Sequence, residues 1–218
     1  MNKKNLPFIL LAVGIVVFLG IIFMVKRSQN SNNTVNNQNE SEIAPEIPAD
    51  QMPSAALIPS SDGHILTLKI NGIKVSNAAS MDYEVLWKAN NAGVPSTQGT
   101  SATVQLSGAN SITKDLLLGS ESSGKKRYDV GVETGGLTLR FRDSSGKLLG
   151  RLSTDFHLQS GVTELTSIDG KFKYTLNKIA TGVFFITMQT FAAPDSIAMT
   201  SSNGYAIFAS DGLPHAGK

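Results

Sequence analysis

Leu137-Thr138-Leu139-Arg140-Phe141-Arg142, followed after Asp143-Ser144-Ser145-Gly146-Lys147 by the run from Leu148 to Leu158, decides how this chain folds. Successive side chains of an extended strand point to opposite faces, so Leu137, Leu139 and Phe141 share one face and Thr138, Arg140 and Arg142 the other. Asp143 suits the first position of a type I turn, and Gly146 can take the positive φ of a following bulge. The stretch reads as a β-hairpin with an apolar face and a basic face.

The same two-residue period runs outward from this hairpin. In His64–Ile70, Leu66, Leu68 and Ile70 alternate with Ile65, Thr67 and Lys69. Tyr83–Lys88 sets Tyr83, Val85 and Trp87 against Glu84, Leu86 and Lys88. Further strand-like runs are Thr103–Leu106, Ile112–Leu118, Arg127–Glu133, Phe172–Leu176, Gly182–Phe191 and Tyr205–Ser210. Asp-Gly and Asn-Gly pairs at 62–63, 71–72, 169–170, 203–204 and 211–212 punctuate them as turns. Many short strands and no helical period beyond the N-terminal segment predict an all-β domain over 61–218, an antiparallel β-sandwich of Ig-like or jelly-roll-like kind. One unit is preferred, with an Ig-like core plus a C-terminal addition as the alternative.

Two different segments precede this domain. Leu6 to Val25 is uncharged and is flanked by Lys3, Lys4, Lys26 and Arg27. As a helix it would span roughly 30 Å, the thickness of a bilayer's hydrocarbon core. The run exceeds a cleavable signal's apolar core and ends without a small-x-small site, so residues 1–27 are expected to be a retained signal anchor. The basic flanks balance, and only the α-amino charge favours a cytoplasmic N-terminus. The β-domain is then extracytoplasmic, at the cell membrane. Residues 28–60, rich in Asn and Pro, read as a disordered linker.

The 218 residues include no Cys, which removes disulfides, thiolate metal sites and a cysteine nucleophile. A formal net charge of +2 is too small for a general nucleic-acid binder. Neither cofactor nor metal is expected. Leu117-Leu118-Gly119-Ser120-Glu121-Ser122-Ser123-Gly124, then Arg127 to Glu133 and Leu137 to Asp143, resemble stretches of uncharacterised bacterial single-pass membrane-anchored β-domain proteins. That resemblance implies a membrane anchor and a β-fold, and it carries no activity and no site residues.

Catalytic patterns occur only out of context. Gly119-x-x-x-x-Gly124-Lys125 matches part of a phosphate loop, yet the following residues alternate like a strand where the mechanism needs a helix. Ser-x-x-Lys, as at Ser111–Lys114, lacks its partner motifs. Asp155 and His157 with a serine would require a geometry that no sequence motif supplies. Two basic groups are the binding candidates: Lys125, Lys126 and Arg127 in a loop, and Arg140, Arg142 and Arg151 on one sheet face. The competing reading of that face is a solvated surface with Asp143 and Asp155 as counter-charges. Trp87 has core periodicity. The functional expectation is a non-enzymatic envelope module that binds an envelope protein or anionic polymer. The alternatives are an anchored hydrolase of cell-wall or extracellular polymers and a structural assembly subunit.

Overall fold

A computed structural model of the chain describes residues 44–193, 199–200 and 204–218. The expected anchor at 1–27 lies outside them, and no helix among the described residues is long and apolar enough to cross a membrane. The described chain is all-β and its sheets are antiparallel. In order the strands are β1 (Ser54–Pro59), β2 (Ile65–Asn71), β3 (Ser80–Asn91), β4 (Val94–Gln105), β5 (Ser111–Leu117), β6 (Gly119–Ser122) and β7 (Lys125–Tyr128). There follow β8 (Thr134–Arg142), β9 (Leu148–Ser160), β10 (Glu164–Thr166), β11 (Lys173–Thr175), β12 (Phe184–Gln189), β13 (Met199–Thr200) and β14 (Tyr205–Ala209). Among them, β1-β2-β5 form a three-stranded sheet and β13-β14-β12-β9-β8-β3-β4 a seven-stranded one, with β6-β7 and β10-β11 as separate hairpins.

The period read from sequence is the period buried. Leu66, Leu68 and Ile70 of β2, Val85 and Trp87 of β3, and Leu137, Leu139 and Phe141 of β8 belong to one core cluster shared by the two large sheets. Where a sheet is covered on one face only, its strands alternate, as β3 and β8 do. The Phe-Phe-Ile-Thr-Met run of β12 and the Tyr-Ala-Ile-Phe-Ala run of β14 do not alternate, because both faces are covered there. Ile186, Met188, Ala206 and Phe208 face the main core, while Phe185, Tyr205, Ile207 and Ala209 pack with Leu165, Phe172 and Leu176.

Several expectations need correction. The linker expected over 28–60 does not extend that far: the compact unit begins at Ala44. Ile47 is 3% exposed and occupies the notch left by Gly150, whose added Cβ would strike its side chain. β1 pairs with β2 from Ser54↔Asn71 to Pro59↔Leu66, burying Ala55 and Leu57. β3 and β4 form a twelve-residue hairpin ladder through Ala92 and Gly93, both at positive φ, so the strand anticipated at Thr103–Leu106 starts at Val94. The strand expected over Arg127–Glu133 ends at Tyr128. At that point Asp129 turns inward and is 8% exposed.

Candidate binding face

The face of the seven-stranded sheet turned away from the core is built by the even-numbered residues of β3 and β8 and their neighbours on β4 and β9. Register makes Arg140 the partner of both Asp82 and Arg151. Arg140, Arg142 and Arg151 therefore meet on one surface, as their periodicity predicts. The counter-charges differ from those expected. Arg142 Nε donates to Asp82 Oδ2 at 2.7 Å, and Arg140 Nη2 to Glu84 Oε2 at 3.1 Å. Asp143 instead closes its turn, accepting from Ser145 N at 2.8 Å, Ser145 Oγ at 2.7 Å and Lys147 N at 3.0 Å. These bonds to the ionised carboxylate, led by that from the Ser145 hydroxyl, lower its pKa. Glu84 was legible as a polar residue of the alternating run Tyr83–Lys88, whereas Asp82 joins it because the strand starts at Ser80; knowing which neighbour each serves required the strand order. Lys125, Lys126 and Arg127 lie elsewhere, exposed on the β6-β7 hairpin, with Glu121 opposite Lys126. A strand rather than a helix follows Gly124, so the phosphate-loop mechanism has no helix N-terminus here.

Beside the arginines lies a feature that sequence reasoning missed. Leu86 is flanked in register by Gly99 of β4 and Gly136 of β8, and Gly136 by Asp155 of β9. The two glycines leave a transverse trench in which Leu86 stands 43% exposed. The depression beside Gly136 encloses about 470 Å³, and Ile168, 44% exposed, also lines it. Lys88, Glu84, Arg151 and Asp155 supply its charged groups, and Thr97, Thr138 and Ser153 its hydroxyls. Gly135 has a different role. An added Cβ there would meet the Leu86 carbonyl oxygen and the Phe156 ring, so β8 can pass over Phe156 only without a side chain at that position. The sequence signal was the Gly135-Gly136 pair inside a strand.

The dispersed polar residues that suggested catalysis have other partners. His157 Nδ1 lies 2.9 Å from the carbonyl oxygen of Thr166 and 3.3 Å from its hydroxyl, so the carbonyl, not Asp155, orients the ring. Trp87 is buried, and its Nε1 donates to Asp129 Oδ2 at 2.8 Å. Asn91 Nδ2 donates to Asp129 Oδ1 at 2.8 Å, and Asn91 Oδ1 accepts the Val130 N–H at 3.0 Å. Asp169 accepts from Ser167 Oγ and Tyr205 OH, bonds that hold its pKa down to about 2. Both are clasps between segments. Among the described residues no group of three or more His, Asp or Glu side chains is placed to hold a metal ion.

No protein-family model matches the chain, and neither does any curated protein or solved structure.

Proposed function

We propose that the protein is a membrane-anchored, extracytoplasmic binding or scaffold module of the cell envelope, a β-sandwich carried on an N-terminal signal anchor. It recognises its partner through the outer face of the large sheet. The trench beside Leu86 carries this reading. It is open and crosses the strands, with an apolar floor at Leu86 and Ile168 and hydroxyls and charges of both signs around it. An extended polypeptide segment of an envelope protein fits that chemistry, since apolar side chains can seat against Leu86 while backbone amides meet the hydroxyls. A sugar chain would favour an exposed aromatic platform, and the single Trp is in the core. The paired Arg140 and Arg142 serve as a rigid wall of this face, and Arg151 as a recognition group.

The test uses the full chain in its own cells, with benzoylphenylalanine replacing Leu86 for photo-crosslinking. Discrete adducts that form at position 86, are absent from a control probe at Ser144, and disappear with Gly136→Arg are the expected result. Equal labelling at both positions would refute the trench as the binding surface.

A further inference from the structure

The edge of the large sheet at β4 has a property that its outer face does not explain. β4 is twelve residues long, Val-Pro-Ser-Thr-Gln-Gly-Thr-Ser-Ala-Thr-Val-Gln, and no other strand pairs with its far side among the described residues. Sheet edges are ordinarily blunted by charge, by brevity or by a covering element. The opposite edge, β13, is two residues long. β4 carries no charged residue, and its one proline, Pro95, sits near the start.

The direction of its free backbone groups follows from neighbouring bonds. Asn90 donates its N–H to Val130 O at 2.7 Å, away from β4, and Leu106 donates to Ala79 O at 2.9 Å, toward β3. Inward and outward pairs alternate along an antiparallel ladder. The even residues of β4 therefore bond to β3, and Thr97, Gly99, Ser101 and Thr103 present their N–H and C=O groups outward.

We propose that β4 pairs antiparallel with β4 of a second copy about a two-fold axis at Thr100, joining the two large sheets edge to edge. Outward pairs must join odd to odd, and centring the outward set from Pro95 to Gln105 puts the axis at Thr100. Thr97 then opposes the partner's Thr103, and Gly99 the partner's Ser101. The side chains complement one another in that register. Lys88 Nζ donates to Thr97 Oγ1 at 2.8 Å, leaving the Thr97 hydroxyl proton to donate. Thr103 Oγ1 donates to Asp82 Oδ1 at 2.7 Å, leaving its lone pairs to accept. Two-fold pairing closes a directed chain from the Lys88 ammonium through both hydroxyls to the Asp82 carboxylate of the other copy, once on each side of the axis. A register two residues away would break both chains. Lys88 and Thr97 also line the trench, so the two surfaces adjoin, but the pairing rests on the free backbone edge of β4 and does not require a partner in the trench.

Because the chain has no Cys, a single Thr100→Cys change in the full-length protein can form a disulfide only between copies. In a non-hydrogen-bonded antiparallel pair the Cα atoms lie about 4.5 Å apart, within disulfide range. Mild oxidation in membranes, read on non-reducing gels, is expected to give at least ten times more linked dimer for Thr100→Cys than for Ser144→Cys. Adding Ser101→Pro, which removes an outward N–H and leaves the β3 ladder intact, is expected to return the yield to the Ser144 level. Ser101→Lys, a milder edge change, is expected to lower it as well. A Thr100→Cys yield no higher than that of Ser144→Cys, or one unchanged by both Ser101 variants, would overturn the proposal.

Discussion

A chain shortened to begin at Ser61 is expected to be unfolded, whereas one beginning at Ala44 folds. The shorter fragment lacks β1, whose Leu57 and Ala55 lie in the shared core, and Ile47, which fills the Gly150 notch. Full burial of a Leu or Ile side chain contributes roughly 1.5–3 kcal/mol. Losing Leu57 and Ile47 also uncovers the core face of β2 and a row of backbone bonds along it. A domain is typically stable by about 5–15 kcal/mol, so the combined loss is comparable with the whole. Far-ultraviolet circular dichroism and urea melts of the two fragments check this. Cooperative unfolding of the 61–218 fragment at a midpoint near that of the 44–218 fragment would show that β1 is dispensable.

Replacing Trp87 with Ala is expected to remove about 3–5 kcal/mol, enough to leave the domain marginal. Two effects combine there, and a second variant separates them. Asp129→Ala keeps the indole packing and strands its N–H together with the Asn91 amide, at a cost of about 1–3 kcal/mol. Asp129→Asn is expected to recover only part of that loss. Its amide group would confront the Asn91 amide, which cannot turn over without surrendering the Val130 N–H. Urea midpoints for the three variants should therefore fall in the order Asp129→Asn, Asp129→Ala, Trp87→Ala, the last lowest. Equal midpoints for Asp129→Ala and the unmodified protein would show that the carboxylate is not holding β3 to the segment before β8.

What the sequence reveals follows from how each strand is buried. β2, β3 and β8 each have one covered face, so alternation alone identifies Leu66, Trp87 and Phe141 as core. β1 and most of β4 escape the same test for opposite reasons. The Ala-Ala-Leu-Ile of β1 is short, continuous and set between prolines in a polar segment, and only pairing with β2 reveals it as a strand. β4 lies at an edge, exposed along most of its length, so no apolar period marks Val94 to Ala102. Asp129 interrupts the run after Tyr128 because a carboxylate that accepts from Trp87 and Asn91 must turn inward. The arginines were placed on one face by their spacing, while their partners Asp82 and Glu84 needed the β3-β8 register. The trench is the least legible feature. Gly99 and Gly136 are far apart in sequence, and only the sheet order puts Leu86 between them.

The most direct test of the proposed envelope role is to ask on which side of the membrane the β-domain stands. Ser144 is exposed at the tip of the β8-β9 hairpin, and Ser144→Cys would place the protein's only thiol there. A membrane-impermeant maleimide applied to intact cells is expected to label this variant fully, with no gain on lysis. Labelling only after lysis under native conditions would put the domain in the cytoplasm and contradict the account.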